Sequence, residues 1–290
     1  MNKTFLVVGN GFLGECLIRQ LQIMDFTVFF TNFEDVNQDG FYLNIEDKPS
    51  IEKLFAKINP DIVINCVANT KIDYLEQNPQ IAININSIGT KNLAEVCNDA
   101  NSRLIHISTD YVFDGFKGMY SETDSTNPVN EYGKSKVLSE KFVQNSLKDY
   151  VIIRTNFFGL DPKKRDLISQ FLMTMKSKKS FYGFTDIFFT PLEINNLCEL
   201  IIETSLTNIR GIIHLASNET ISKYDLVFNV AKILSLDLSL LKKGSINNLN
   251  HMAKRPMNTS LDNSKAKKLL TTSILSLEES IKKITTQIPS

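Results

Sequence analysis

Short apolar runs alternate with amphipathic helical patterns through the first 157 residues and again near 192–216, and this alternation restricts the fold more than any other feature. The predicted strands are 5–8, 27–30, 62–66, 104–107, 151–154 and 211–216. The predicted helices are 14–24, 50–58, 82–98, 128–145 and 192–204. Because strands joined through helices form right-handed βαβ units, the sequence predicts an α/β protein with a doubly wound parallel sheet.

A glycine-rich turn directly follows the first predicted strand and opens the first helix, with the pattern GxGxxG from Gly9 to Gly14. Gly9 permits the tight turn, Gly11 lets the backbone approach a pyrophosphate, and Gly14 allows the helix to pack closely on the strand. The N–H groups and positive dipole end of the helix favour phosphate. This context predicts a Rossmann-type dinucleotide site contacted by Gly9, Gly11, Phe12, Leu13 and Gly14.

The strand–helix pattern loosens after Phe157, and no internal repeat or low-complexity linker is present. We therefore predict a dinucleotide-binding domain at 1–157 that also takes segments near 192–216. Residues 158–191 and 217–290 are predicted to form a smaller, interleaved C-terminal region that binds the substrate.

The residues after the second predicted strand bear on the choice between NAD and NADP. A carboxylate there binds the ribose hydroxyls of NAD, and an arginine accommodates the 2′-phosphate of NADP. Residues 31–33 hold neither group, and Glu34 and Asp35 follow slightly late, so the predicted cofactor is NADP or NAD. Asn44 and Ile45, just before a helix, are predicted to frame the adenine, with an ordinary loop as the alternative.

A second group of polar residues combines the end of a strand with the start of a helix. Residues 108–111 follow the strand 104–107, and ligands of parallel sheets bind beyond the carboxyl ends of strands. Tyr132 and Lys136 are four residues apart and therefore share a helix face. A lysine ammonium close to a tyrosine lowers the tyrosine pKa from about 10, which suits proton transfer. The Thr109 hydroxyl can then hold a substrate carbonyl oxygen beside Tyr132.

These motifs together resemble the extended short-chain dehydrogenases, and within that group the branch of dTDP-4-dehydrorhamnose reductases. The matching segments are 108–115 (STDYVFDG), 122–124 (ETD), 128–136 (PVNEYGKSK), 154–155 (RT) and 255–261 (RPMNTSL). The resemblance spans nearly the whole chain. It implies NAD(P)H-dependent reduction of the 4-keto group of a nucleotide-linked deoxysugar.

The resemblance also implies a role for each matching position. Thr109, Tyr132 and Lys136 would be the catalytic residues, with Tyr132 donating the proton and Lys136 also binding the nicotinamide ribose. Residues 65–70 and Asp73 would line the cofactor and the substrate. The implied cofactor contact in this loop is Ala68, and the implied substrate contacts are Asn69, Thr70, Asp110, Tyr111, Asn156 and Arg255.

Three departures from the branch concern the site. The branch generally has GxxGxxG in its first turn, whereas the turn 9–14 is one residue shorter, which indicates an altered pyrophosphate loop. Asn69 and Asn156 replace other small or polar residues, and Phe157 stands where the branch often has tryptophan. The loop 114–122 is slightly shorter than usual near the expected position of the sugar.

The same fold has three other functions in related proteins. Sugar-nucleotide 4,6-dehydratases carry a glutamate after Thr-Asp, whereas here Tyr111 follows Asp110, so the acid for elimination is missing. A nucleotide-sugar epimerase uses the same catalytic residues and cofactor and stays an alternative. A non-catalytic NADP-binding subunit, resembling the regulatory subunit of methionine adenosyltransferase, is a further alternative that the intact catalytic set disfavours.

Composition narrows the remaining function classes. The 32 basic and 32 acidic residues balance, which disfavours nucleic acid or an anionic membrane as a partner. Neither a bilayer-spanning apolar run nor a signal peptide is evident, and the four scattered cysteines indicate free thiols in a reducing compartment. We therefore predict a cytoplasmic protein with a small-molecule substrate and no metal site. The resemblance to the branch is also compatible with a homodimer.

Overall fold

A seven-stranded parallel sheet forms the centre of the protein. A computed structural model describes residues 3–33, 40–163, 166–248 and 252–286. The strands are β1 (Thr4–Val8), β2 (Thr27–Asn32), β3 (Phe41–Tyr42), β4 (Ile62–Asn65), β5 (Arg103–Ile107), β6 (Tyr150–Thr155), β7 (Phe157–Phe158), β8 (Phe181–Phe184), β9 (Phe188–Phe189), β10 (Leu192–Glu193), β11 (Gly211–Leu215), β12 (Ile221–Ser222) and β13 (Leu241–Gly244). The central sheet has the order β11-β6-β5-β4-β1-β2-β3, with every neighbouring pair parallel. This confirms the predicted Rossmann-type fold, and the strand order reverses between β1 and β4.

Helices connect the strands and also build the C-terminal part of the chain. The α-helices are α1 (Phe12–Ile23), α2 (Lys48–Ile58), α3 (Ile72–Gln77), α4 (Pro79–Ala82), α5 (Gly89–Asp99), α6 (Glu131–Ser146), α7 (Leu167–Lys176), α8 (Ile194–Leu206), α9 (Lys223–Ile233), α10 (Ser264–Leu269) and α11 (Leu277–Thr285). The predicted helix at 82–98 is not uniform, because Ile83–Ile88 form a π-helix between α4 and α5. Across the described ranges, every helix is too short or too polar to span a bilayer.

Both faces of the sheet are covered, which explains the unbroken apolar runs of its strands. In β1, Phe5 and Val7 pack into a core with residues of α1 and α8. Leu6 and Val8 point the other way, into a core with residues of α2, α5 and α6. The alternation of side chains along one strand therefore joins two hydrophobic layers.

A third hydrophobic cluster lies in the C-terminal part of the chain. Its buried residues come chiefly from α7, α9 and α11, for example Phe171, Val227 and Ile281. The pairing of β8 with β13 lies beside this cluster, and the pairing of β9 with β12 connects it to the segment before α8. The sequence patterns did not reveal α7, α9 or these strand pairs.

Two buried histidines make stability depend on pH. Burial and the charge of Arg154 lower the pKa of His214 to about 3, and burial and the charge of Lys136 hold the pKa of His106 well below its usual range. Both are therefore neutral in the folded protein, whereas in the unfolded chain they take up protons below about pH 6.5. The contribution of the two neutral histidines to the free energy of unfolding is complete above that pH. It is lost as the pH falls, at about 1.4 kcal/mol per pH unit for each histidine.

We expect His214→Gln to reduce this acid sensitivity. Urea unfolding between pH 7 and pH 5 should show a shallower loss of free energy of unfolding in the variant than in the original protein, by about 1.4 kcal/mol per pH unit below about pH 6. An unchanged slope would show that His214 does not titrate differently in the folded and unfolded states.

Candidate active site

The glycine turn has the geometry that the sequence predicts. Gly9 has a φ of 94°, and its N–H donates to Thr31 Oγ1 at 3.1 Å. A Cβ at Gly14 would lie 2.0 Å from the Gly9 carbonyl oxygen, so only glycine lets the helix start this close to the strand. A Cβ at Gly11 would meet no atom within 4 Å. Since α1 begins at Phe12 without a side-chain cap, its first N–H groups face this open side of the turn.

The predicted adenine contacts lie at the edge of the sheet, after β3. Asn44 Oδ1 accepts a backbone N–H two residues on at 3.0 Å, which forms a local turn. Ile45 is buried against the start of α5, where a Cβ at Gly89 would lie 2.4 Å from Ile45 Cγ2. Contact of Asn44 and Ile45 with a cofactor stays a prediction. Glu34 and Asp35 lie outside the described residues.

The loop after β4 is held by an asparagine that sequence reasoning did not single out. Asn86, in the π-helix, accepts the Asn69 N–H at 2.7 Å and donates to the Asn69 carbonyl at 3.1 Å. The same amide donates to Ser135 Oγ at 3.0 Å, so it joins the loop to α6. The Asn69 side chain accepts a backbone N–H within the loop, Ala68 is partly buried, and Thr70 is exposed.

Asp110 is the centre of a buried polar cluster beyond the end of β5. It is 1% exposed and accepts hydrogen bonds from Thr109 Oγ1 at 3.1 Å, Asn156 Nδ2 at 3.0 Å and Thr259 Oγ1 at 2.5 Å. Burial raises the pKa of Asp110, and the three hydrogen bonds oppose that rise. The structure thus brings together Thr109, Asp110 and Asn156, and adds Thr259 from the C-terminal motif.

Tyr132 lies in the first turn of α6, which begins after Asn130 because the Asn130 side chain accepts the Gly133 N–H at 2.9 Å. The rings of Tyr132 and Tyr111 meet edge to face, with centroids 6.0 Å apart. Burial raises the pKa of Tyr132 to about 12, and the nearby Thr109 hydroxyl opposes that rise. The predicted lowering of the tyrosine pKa is therefore not found, because desolvation is the larger effect. Tyr132 is protonated at neutral pH and able to donate its proton.

Lys136, one helical turn after Tyr132, is completely buried. Its Nζ donates to the Ile107 carbonyl oxygen at 2.8 Å, at the end of β5. Burial lowers the pKa of Lys136 to about 8, against the charge of Glu140. The ammonium therefore lies against β5, the strand that precedes Thr109. On a solvated helix face it would have been in contact with water.

His106 lies directly behind Lys136 and completes a buried network. Its Nε2 is 3.3 Å from Lys136 Nζ and 3.0 Å from Ser139 Oγ, and its Nδ1 is 3.3 Å from Asn65 Nδ2. Because the Asn65 amide donates to Nδ1, Nε2 carries the ring proton and donates to Ser139. His106 is completely buried in this network.

A buried ion pair supports the same helix from the other side. Arg154 in β6 donates to Glu140 in α6 from Nε at 3.0 Å and from a terminal nitrogen at 2.7 Å. Ser108 Oγ donates to the same carboxylate at 2.6 Å. The guanidinium also lies 5.1 Å from the centroid of the Phe113 ring. The pair fixes α6 relative to β5 and β6. It could not be recognised from a local sequence pattern, because Ser108, Glu140 and Arg154 lie in different parts of the fold.

Arg255 reaches the site from the C-terminal motif. One of its guanidinium nitrogens is 2.8 Å from Asp73 Oδ2, after β4, and another donates to the Ala253 carbonyl oxygen at 3.1 Å. The charges of Arg255 and Asp73 both affect the pKa of Tyr111, which burial raises. The predicted substrate residues Tyr111 and Arg255 are therefore neighbours, although they are widely separated in sequence.

Comparisons with known proteins agree with this geometry. The family model described as the RmlD substrate binding domain matches residues 2–289. A probable low-salt glycan biosynthesis reductase of Haloferax volcanii is 31% identical over 266 residues, covering 89% of each chain. The dTDP-4-dehydrorhamnose reductase of Escherichia coli is 28% identical over 242 residues, covering 80% of this chain and 81% of its own. The β subunit of methionine adenosyltransferase 2 from Xenopus tropicalis is 26% identical over 275 residues, covering 92% and 82%.

Solved structures show the same fold over almost the whole chain. The dTDP-4-dehydrorhamnose reductase of Bacillus anthracis, in complex with NADP, superposes with a TM-score of 0.90 at 24% identity and covers 99% of this chain and 100% of its own. The orthologue from Clostridium acetobutylicum has a TM-score of 0.88 at 28% identity and covers 98% and 99%. The resemblance predicted from the sequence is confirmed, and with it the oxidoreductase class.

Proposed function

The chain belongs to the family described as the RmlD substrate binding domain, and on that premise we propose that it reduces the 4-keto group of a nucleotide-linked deoxysugar with NADPH or NADH. The observation that carries the proposal is the burial of Thr109, Tyr132 and Lys136 together at the carboxyl edge of the sheet, with the Thr109 hydroxyl close enough to Tyr132 to affect its pKa. The glycine turn after β1 lies at the same edge, as a redox cofactor and its substrate require.

The glycine turn fits the pyrophosphate of a nicotinamide dinucleotide. Gly11 leaves open space, Gly9 takes a backbone conformation that other residues rarely adopt, and the first turn of α1 offers uncapped N–H groups. Bound NADPH or NADH supplies the hydride. Lys136, buried beside Tyr132, is proposed to bind the nicotinamide ribose. Thr31, at the end of β2, accepts the Gly9 N–H. Residues 31–33 include neither a carboxylate nor an arginine, so they do not select between the two cofactors.

The catalytic residues suit reduction of a carbonyl. The Thr109 and Tyr132 hydroxyls are close to each other. A substrate carbonyl oxygen between them would receive a hydrogen bond from Tyr132, and one from Thr109 once that hydroxyl turns away from Asp110. Because the pKa of Tyr132 is raised to about 12, the residue is in the protonated form that gives a proton to the developing alkoxide. Lys136, one helical turn away, is proposed to stabilise the phenolate left behind with its positive charge. Asn156 donates a hydrogen bond to Asp110, and the two side chains would position the sugar.

The two glycines of the turn allow structure and cofactor binding to be separated. Gly11→Ala adds a methyl group that touches no protein atom, so we expect normal stability but cofactor binding at least about tenfold weaker. Gly14→Ala places its Cβ against the Gly9 carbonyl, so we expect a clear loss of stability. Fluorescence titration with NADPH and urea unfolding measure the two effects. Unchanged NADPH affinity in Gly11→Ala would place the pyrophosphate elsewhere.

The proposal is tested by the oxidation of NADPH and NADH in the presence of dTDP-4-keto-6-deoxysugars, each made in place from its precursor by upstream enzymes. We expect rapid oxidation of at least one cofactor, dependent on the sugar nucleotide. The corresponding UDP sugars test the choice of nucleotide. Sugar isomerisation without net oxidation would instead show an epimerase.

The likeness to the β subunit of methionine adenosyltransferase 2 supports one other candidate, a non-catalytic NADP-binding protein. It predicts NADPH binding without oxidation by any sugar nucleotide. The presence of Thr109, Tyr132 and Lys136, with all three side chains buried near the end of β5, favours the reductase.

A further inference from the structure

Lys223, at the start of α9, is a partly buried lysine to which no role has been given so far. Its backbone N–H donates to the Ile187 carbonyl at 3.1 Å, just before β9. In the described part of the chain, its side chain has no hydrogen bond and no carboxylate within 4 Å. A lysine is seldom withdrawn from water without such a partner.

Backbone contacts place this lysine over the substrate side of the site. Phe188 follows Ile187, and its carbonyl accepts the Thr259 N–H at 3.0 Å. Thr259 in turn donates through its side chain to Asp110. The start of α9 is therefore connected to the buried cluster beyond β5 through β9 and Thr259.

The two charged groups that affect the pKa of the Lys223 ammonium are both in the predicted substrate site. They are the carboxylate of Asp110 and the guanidinium of Arg255, and burial lowers the pKa of Lys223. Asp110 accepts three hydrogen bonds from uncharged groups instead of one from Lys223. Arg255 is a second cation, which is paired with Asp73. Lys223 and Arg255 are thus two cationic groups beside the predicted substrate residues.

We propose that Lys223 binds the diphosphate of the nucleotide-linked substrate, opposite Arg255. This inference rests on the proposed function and adds a specificity-determining residue to it. A diphosphate offers several anionic oxygens, which suit both an ammonium and a guanidinium. With the diphosphate held between these two groups, the sugar attached to it extends toward Asp110 and Tyr132.

The test uses free nucleotides as probes, so it does not depend on turnover. Binding of dTDP, UDP and thymidine is measured by calorimetry at saturating NADP⁺, for the original protein and for Lys223→Met. We expect the variant to bind the preferred nucleoside diphosphate about tenfold or more weakly, as loss of a hydrogen bond between charged groups predicts, and thymidine unchanged. Lys223→Arg should retain most of the affinity.

The matched control is Lys232→Met, an exposed lysine in the last turn of the same helix, which should bind as the original protein does. If Lys223→Met binds the diphosphate as tightly as the original protein, Lys223 acts only on neighbouring charges and the inference is wrong, while the reductase proposal stands. If the original protein binds neither dTDP nor UDP, both are wrong. Lys223→Gln repeats the measurement should the methionine variant not fold.

Discussion

Tyr132→Phe is expected to lower kcat by about 10²- to 10⁴-fold while leaving NADPH affinity nearly unchanged. The substitution removes only the phenolic hydroxyl of a buried ring, so packing against Tyr111 is kept. The lost group is the proton donor next to Thr109. The pKa of Tyr132, about 12, keeps this hydroxyl protonated throughout the neutral range. Steady-state oxidation of NADPH with the sugar nucleotide, together with fluorescence titration of NADPH, measures both quantities.

Tyr182→Phe serves as the control, because Tyr182 is exposed in β8 and its hydroxyl has no part in the site. We expect the control to retain full activity. Turnover near the original level in Tyr132→Phe would remove Tyr132 as the proton donor. A large loss of NADPH affinity would show instead that its hydroxyl serves the cofactor.

The second large effect is on stability. Arg154→Met is expected to lower the free energy of unfolding by about 3–5 kcal/mol, because it leaves the Glu140 carboxylate buried without its cation. The two side chains are only 3% and 4% exposed, so water cannot take the place of the guanidinium. Urea unfolding at neutral pH measures the loss.

Two further variants show whether the loss comes from the unpaired charge. The double variant Arg154→Met, Glu140→Leu removes both charges and should recover much of the stability, since an apolar pair of similar size often replaces a buried ion pair at little cost. Lys282→Met breaks an exposed pair with Glu278 and should change stability little. If Arg154→Met were as stable as Lys282→Met, the buried pair would not stabilise α6 on the sheet.

The parts of the fold that local patterns determine were predictable. The strands of the central sheet that carry continuous apolar runs and the glycine turn at Gly9 follow from short-range properties of the sequence. Tyr132 and Lys136 could be recognised because their spacing puts both on one turn of a helix. The two-residue strand β3 and the helices α7 and α9 were missed, since their form depends on partners elsewhere in the chain.

The environment of the catalytic residues could not be read from local patterns. Asn86, Glu140 and Arg154 act through contacts with residues far away in sequence, and no spacing rule marks them. The pKa of Tyr132 was predicted to fall because its lysine neighbour was visible, whereas the extent of its burial was not. The division into two interleaved domains, a homodimer and the cellular location stay predictions.

The central claim is that a hydride passes from the nicotinamide to ring carbon C4 of a nucleotide-linked sugar. It is tested most directly with NADPH deuterated on the transferred position, by mass spectrometry and NMR of the sugar product. We predict one deuterium at C4 for each cofactor oxidised, and none with Tyr132→Phe. A sugar that is isomerised without consuming cofactor, or recovered unchanged while NADPH stays bound, would contradict the account.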